Sequence, residues 1–355
     1  MRILITGACG FVGSTLVFGL KEAWPDFELV GLDNLVRTGS ETNRAQLRRR
    51  GIKLVHGDIR NPSDLETIPR CDWILDAAAN PSVLAGVDGK TSSRQLIEHN
   101  LTGTVNLLEL ARTWRSGFLM LSTSRVYSIR ELAGVPVESA GARFAPKPGA
   151  AQVGGFSARG VAENFSTEPP LSLYGSSKRA SEILACEYAE AFGLPVFINR
   201  CGVLAGAGQF GKIDQGIFSF WIHSWRAKRP LKYIGFDGTG HQVRDCLHAR
   251  DLVPLIAQQL QKPDAKVPRI VNVSGGMEQS ASLRQLSEWC AQRFGPLPVA
   301  ADKETRPFDV PWLVLDSSLA GSVWKWKPQT SLESTWSEIA AHAEKNPNWL
   351  ESTAD

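Results

Sequence analysis

Thr6-Gly7-Ala8-Cys9-Gly10-Phe11-Val12-Gly13 is the stretch that decides the fold. Residues 2–6 before it are a short apolar run suited to a buried strand, and residues 11–23 after it have helical character. Three glycines spaced G-x-x-G-x-x-G at such a junction have a mechanical reading. Gly7 makes the tight turn, Gly10 leaves room for a pyrophosphate to approach the backbone, and Gly13 lets the helix pack close to the sheet. The helix then offers free N–H groups and the positive end of its dipole to phosphate. Asp33 ends the next apolar run, 27–33, at the distance past Gly13 that a dinucleotide fingerprint requires. An acid there accepts hydrogen bonds from both ribose hydroxyls and repels a 2′-phosphate. The expected cofactor is therefore NAD, with Arg37 as the one nearby residue that would tolerate the extra phosphate.

Working outward, further apolar runs at 53–57, 73–79, 118–122 and 196–199 alternate with helical patterns at 96–113 and 176–192. Parallel strands need crossovers, so the alternation predicts an α/β fold with a Rossmann-type doubly wound parallel sheet. Residues 1–202 form the expected dinucleotide-binding domain. After Gly202 the alternation fades into Gly/Pro-rich loops and helical patterns at 251–261 and 283–294. This predicts a smaller C-terminal mixed α/β substrate-binding lobe over 203–355, with some segments returning to the first domain. The Gly-, Ala- and Pro-rich stretch 129–170 interrupts the site and reads either as a flexible lid or as a surface insertion without a role.

Composition narrows the function. A net charge of +3 over 355 residues is too small to mark a nucleic-acid-binding protein, and the basic cluster 44–50 reads better as a solvated helix face. No apolar stretch reaches bilayer length, so no membrane partner is expected. No charged leader precedes a long apolar run, and the six cysteines are scattered without C-x-x-C or zinc spacing. The expectation is a cytoplasmic protein without a metal site.

Two further segments carry chemistry. Tyr174-Gly175-Ser176-Ser177-Lys178 places a phenol and an ammonium four residues apart, on one helix face. An ammonium near a phenol favours the phenolate, so the pairing is expected to lower the Tyr174 pKa and let it exchange a proton with a sugar hydroxyl. Ser122-Thr123-Ser124 ends the fifth strand at the carboxyl edge, where open α/β sheets bind ligands, and offers hydroxyls to the same oxygen.

These motifs, in this order, resemble the extended short-chain dehydrogenase/reductases over nearly the whole chain. The resemblance implies an NAD-dependent enzyme of nucleotide-diphosphate sugars, with Tyr174, Lys178, Thr123 and Ser124 as its catalytic group. On the cofactor side it implies Gly7, Cys9, Gly10, Phe11, Val12, Gly13, Asp33, Asn34, Ser122, Tyr174, Lys178 and Cys201. Asp58-Ile59 resembles the family's adenine-contacting pair, Ala77-Ala78-Ala79 its strand end beside the cofactor, and Asn100 its structural asparagine. Asp76 stands where the family usually has histidine. Arg244, in Arg244-Asp245-Cys246-Leu247-His248, resembles the family's diphosphate-holding arginine, and Arg306-Pro307-Phe308-Asp309 its C-terminal nucleotide-binding element. A planar guanidinium suits a diphosphate, although Arg244 and Arg306 could each instead serve a structural ion pair.

Among the reactions this family runs, the segment after Thr123 discriminates. Dehydratases of the family follow that hydroxyl with an acid pair, and decarboxylases with a nearby glutamate. Here Ser124 and Arg125 follow, so elimination lacks its acid and base. The resemblance therefore implies an epimerase. Gln209-Phe210, Asp214-Gln215-Gly216 and Gln242-Val243-Arg244-Asp245 are similar to epimerases acting at C2 of CDP-linked deoxysugars, with Gln209 and Gln215 near the sugar. Cys201-Gly202-Val203-Leu204-Ala205 departs from that pattern, and the departure implies a more apolar or reshaped sugar pocket. A net dehydrogenase or reductase is the competing enzyme, and a dinucleotide-binding protein without catalysis the competing non-enzyme. A homodimer packed through 96–113 and 176–192 is expected from the resemblance alone.

Overall fold

The computed structural model describes residues 1–87, 89, 92–212 and 215–354. Among these, seven parallel strands form the central sheet. They are β1 (Arg2–Thr6), β2 (Glu28–Asp33), β3 (Lys53–His56), β4 (Trp73–Asp76), β5 (Gly117–Thr123), β6 (Val196–Cys201) and β7 (Ile270–Val273). Their spatial order is β7-β6-β5-β4-β1-β2-β3. Succession reverses between β1 and β4, so the strand ends there open a crevice, the usual ligand site of such sheets. The strands are near-continuous apolar runs because both faces are covered. Ile3, Ile5, Leu75 and Leu119 pack on one face, and Leu4, Ile74, Phe118 and Met120 on the other.

Helix α1 (Phe11–Ala23) leaves β1 directly after the glycine turn. The helical pattern at 96–113 is broken more finely than its periodicity suggests. Ser93–Ile97 is α-helical, Glu98–Thr102 widens into a π segment, and α2 (Gly103–Trp114) resumes the α-helix. Helix α3 (Ser172–Phe192) begins four residues before the expected start, which brings Tyr174 into its first turn.

Beyond Gly202 the chain divides its allegiance. Ile270–Val273 returns as β7 beside β6, and the helix Leu252–Gln261 packs into the same core as α1. A separate core joins α4 (Ile217–Arg226), α5 (Leu283–Phe294) and α6 (Leu332–Lys345) through Phe218, Trp221, Leu286, Trp336 and Ile339.

The 129–170 stretch is packed into the protein rather than standing free of it. Leu132, Val135, Phe156, Val161 and Phe165 form a core with Tyr127, Val243 and Trp312. Its backbone is also tied in: Val161 N–H donates to Val314 O at 2.9 Å, and Phe144 N–H to His241 O at 2.9 Å. Apolar contacts of this density hold the segment against the second lobe. Among the described residues no helix is long and apolar enough to cross a membrane, and no cluster of His, Cys, Asp or Glu could hold a metal ion.

Candidate active site

The glycine turn has the predicted mechanics. Gly7 takes φ +61°, and a Cβ there would meet Ala77 O at 3.0 Å. At Gly13 a Cβ would lie 2.0 Å from Gly7 O, so only glycine permits the helix to start this close to β1. Gly10 caps α1 through its backbone alone, with no side chain over the helix end and no acid in the first turn. The result is a backbone cradle open to an anion, which fits a dinucleotide pyrophosphate. Phe11 and Val12 open the helix from the same turn, and Asn43 donates to Cys9 O at 3.0 Å.

Asp33 closes the cradle from the side. Its carboxylate accepts the N–H of Cys9 at 2.8 Å and that of Leu35 at 2.8 Å. Burial pushes its pKa up, against these backbone hydrogen bonds. Four lone-pair sites less two leave acceptor capacity for ribose hydroxyls. Arg37 is turned elsewhere: its guanidinium donates to Phe210 O at 2.8 Å and lies 6.0 Å from the Phe210 ring centre.

Further along the edge, Asp58 accepts from Asn34 at 2.9 Å and from Arg60 through both main and side chain. Burial alone would raise this carboxyl, but the Arg60 hydrogen bonds outweigh it and hold Asp58 well below the usual range. Ile59 supports α2, since a Cβ at Gly103 would meet its Cδ1 at 2.4 Å. Ala77 and Ala78 donate their N–H groups to the Thr6 hydroxyl, which itself donates to buried Asp76 at 2.9 Å. Asp76 also takes the Thr104 hydroxyl at 3.1 Å. The carboxylate replacing the family's histidine thus lies against two threonine hydroxyls, of which Thr104 also donates to Asn100 O at 2.9 Å. Ala79 follows at the exposed end of this strand.

Two residues expected to touch cofactor have their polar atoms engaged elsewhere. The Ser122 hydroxyl donates to Glu182 at 2.6 Å, and Glu182 is gripped in turn by Arg200 at 2.7 and 3.0 Å. The Asn100 side chain pairs with the Asn80 backbone at 2.8 and 3.0 Å and donates to Ser177 at 3.2 Å. Asn100 sits in the π segment, whose widened turn sets the spacing between this helix and α3. Both side chains are thus committed within the protein.

The residues expected to be catalytic come together where β5 and α3 meet. The Thr123 side chain lies beside the Tyr174 phenol, near enough to favour its ionised form. Thr123 also accepts the N–H of Arg125 at 3.2 Å, which fixes its side chain at the strand end. Ser124 is buried in the 3₁₀ turn that follows. Lys178 is 2% exposed; burial lowers its pKa, opposed by Asp76, Glu182 and Cys201. The expected lowering of Tyr174 does not occur in the protein alone. Burial pushes its phenol up to about 12, while Thr123 and Arg125 act in the opposite direction. Desolvation therefore outweighs the surrounding donors and cations, and the phenol is held neutral. Cys201 ends β6 beside Thr123, with a thiol likewise pushed up to about 12 by burial.

Within the departing segment, Gly202 has a steric reason. A Cβ at Gly202 would fall 1.9 Å from the Asp245 carboxylate, which accepts the N–H groups of Val203 at 3.0 Å and Leu315 at 2.9 Å. Val203 itself packs on the core of the second lobe.

Opposite the catalytic group lies a cationic cluster. Arg244 pairs with Asp309 at 2.5 Å and donates to Val243 O and Val310 O. Arg306 and Arg125 belong to the same electrostatic neighbourhood, and Arg125 donates to Phe308 O at 3.2 Å. Burial, then Arg244, pushes the Arg125 pKa down to about 10. Sequence reasoning had used Arg125 only as a missing acid. Its place directly after the catalytic strand end was the available signal for a role in the site.

Gln209 is anchored to the segment that follows β6. Its Nε2 donates to Leu204 O at 2.9 Å, and its Oε1 is buried without a partner among the described residues. Gln215 forms a bridge with Lys212, and Asp214 lies outside the described residues.

Comparison with known proteins agrees with this geometry. Residues 3–274 match the model of the NAD dependent epimerase/dehydratase family. The chain is 30% identical to the CDP-paratose 2-epimerase of Salmonella typhi, over 93% of this chain and 96% of that one. It is 27% identical to the UDP-glucuronate 4-epimerase of Thermodesulfobacterium geofontis, over 93% and 92%. The fold matches that of the UDP-glucuronic acid 4-epimerase from Bacillus cereus, solved with UDP-glucuronic acid and NAD. That TM-score is 0.77 at 23% identity, covering 97% of this chain and 99% of the other. With its sheet order, glycine cradle and Thr123–Tyr174–Lys178 group in place, the chain belongs to the NAD-dependent epimerase/dehydratase family.

Proposed function

We propose that this protein is a nucleotide-diphosphate-sugar epimerase that inverts a sugar carbon by oxidising it to a ketone and reducing it again on the opposite face, at C2 of a deoxysugar. The observation that carries the reading is the neighbourhood of Tyr174. The phenol lies beside Thr123, and the charged side chain that follows in the sequence is the guanidinium of Arg125. Elimination of water needs an acid and a base at this point, and an arginine supplies neither near neutral pH.

NAD⁺ bound in the glycine cradle supplies a two-electron acceptor that can take a hydride and give it back. The protein supplies the proton handling and the positioning. Tyr174 Oη exchanges a proton with the sugar hydroxyl, and Thr123 Oγ1 shares the hydrogen bond and fixes the oxygen between them. The Lys178 charge lies one helical turn away, where it stabilises developing phenolate. Arg244 and Arg306 supply positive charge for the diphosphate, and the 30% identity to a CDP-paratose 2-epimerase supports C2 as the position. The homodimer expected from the resemblance is carried with this reading, with a size-exclusion molar mass as its check.

The test incubates the purified protein with CDP-, UDP-, dTDP- and GDP-deoxysugars, deuterated at C2, in ordinary water. Proton NMR should show one sugar converted to its C2 epimer with the deuterium retained and no net NADH formed. NADH accumulating in proportion to product identifies a net dehydrogenase instead. Loss of the label to solvent removes the oxidation–reduction route.

A further inference from the structure

Arg125 is the one member of the cationic cluster that also belongs to the catalytic corner. Its backbone N–H donates to Thr123 Oγ1, and its carbonyl presses on α3 immediately after Tyr174, since a Cβ at Gly175 would fall 2.2 Å from Arg125 O. Its guanidinium reaches the other way and donates to Phe308 O at 3.2 Å, on the segment that carries Arg306 and Asp309. One residue thus spans the gap between the hydroxyls that move the proton and the arginines that face the diphosphate.

Charge makes the arrangement unbalanced. Asp309 is already engaged by Arg244 at 2.5 Å. Among the described residues the Arg125 guanidinium makes a single hydrogen bond, to an uncharged carbonyl, and no ion pair. A guanidinium has five N–H donors, so this half-buried one keeps donors that an anion could engage. The burial and the Arg244 charge that depress its pKa express the same deficit. In a nucleotide-diphosphate sugar the available anion is the diphosphate, and its nearest part to the sugar is the β-phosphate.

Resting on the epimerase reading above, we propose that Arg125 binds the sugar-proximal β-phosphate and thereby sets the position of reaction at the carbon next to the anomeric centre. A phosphate held by Arg125 is separated from the Thr123–Tyr174 corner by no more than the length of that one side chain, whose main chain abuts Thr123 and Gly175. The C2 hydroxyl is attached one carbon from the anomeric carbon that carries the phosphate, whereas the C4 hydroxyl lies across the ring. An arginine shared by both corners suits the shorter span. In this arrangement Arg125 is a binding and specificity-determining residue, and the proton transfer remains with Tyr174.

The test separates phosphate binding from turnover. Calorimetric titration of the NAD-loaded protein with CDP, UDP, GDP and dTDP identifies the diphosphate that binds best, and the matching monophosphate serves as reference. Arg125→Met should weaken the diphosphate at least tenfold and the monophosphate less than twofold, while Arg125→Lys should recover part of the loss. Equal weakening of both ligands, no weakening of the diphosphate, or no diphosphate binding by the unaltered protein overturns the proposal. Thermal melts of both variants establish that they fold; if Arg125→Met does not, Arg125→Lys decides, with at least a threefold loss confined to the diphosphate expected. The position claim is checked on the epimerised sugar by NMR, where inversion at C4 overturns it. These titrations need no turnover, so an inactive protein with the expected diphosphate selectivity would count against the epimerase reading and leave the Arg125 contact standing.

Discussion

The backbone N–H of Cys9 donates to the Asp33 carboxylate at 2.8 Å, which binds the glycine turn after β1 to the end of β2. One carboxylate therefore braces the glycine turn and keeps acceptors that would meet the ribose of a bound dinucleotide. The nearby Arg37 is committed to Phe210 O. Asp33→Ser should reduce affinity for NAD about tenfold and narrow its preference over NADP, because the 2′-phosphate no longer meets a negative charge. Fluorescence titration with both cofactors checks this. An unchanged preference would remove Asp33 from the selection.

Gly10 and Gly13 should separate binding from folding. A Cβ at Gly10 meets only Gly7 O at 3.1 Å, a tight contact that a small shift relieves, whereas a Cβ at Gly13 meets the same oxygen at 2.0 Å. Gly10→Ala is expected to melt within a few degrees of the parent and to bind NAD at least tenfold more weakly, since the methyl enters the space kept for pyrophosphate. Gly13→Ala is expected to lose about 2 kcal/mol or more by overpacking the first turn of α1 against β1. Melting curves with and without NAD distinguish the two.

Tyr174→Phe removes the hydroxyl proposed to transfer the proton while preserving most of the ring's burial. Epimerisation should fall by about 10² to 10⁴, the span usual for loss of a positioned acid–base group. Thr123→Val should cost less, about 10 to 10², because it removes a shared hydrogen bond and retains the phenol. NAD affinity should change less than threefold in either variant. A Tyr174→Phe protein with full activity would relocate the chemistry.

The first half of the fold was legible because its signals are local. The glycine turn, the apolar strands and Asp33 each depend on neighbours within one βαβ unit, where pattern and geometry coincide. The parts that escaped are long-range. Ile270–Val273 is a four-residue strand with nothing in its own sequence to say that it pairs with Val196–Cys201. Glu182 and Arg200, joined at 2.7 Å within the core, are ordinary charged residues until the fold brings them together behind Ser122. The same holds for the pairing of Arg244 with Asp309, 65 residues apart. The direction of the Tyr174 shift was missed because residue spacing reports proximity to Lys178 and says nothing of desolvation, which dominates here.

Acid should loosen the second lobe through a buried histidine pair. His223 on α4 and His342 on α6 approach with Nε2 and Nδ1 3.3 Å apart, and His342 also packs edge-on against Trp349. Burial pushes His223 down to about 3, helped by His342, Arg226 and Arg229. Burial also lowers His342, where Glu338 opposes and Lys345 assists. A group depressed in the folded state is protonated more readily when unfolded. Its stabilising contribution is complete above the unfolded value near 6.5 and is lost as the pH falls toward 3. From pH 7 to pH 5, His223 alone should remove about 1 to 2 kcal/mol. His223→Gln retains a hydrogen-bonding side chain without the titration, so its melting temperature should fall less than the parent's over that interval. Equal falls would show that the pair is not what makes the lobe acid-sensitive.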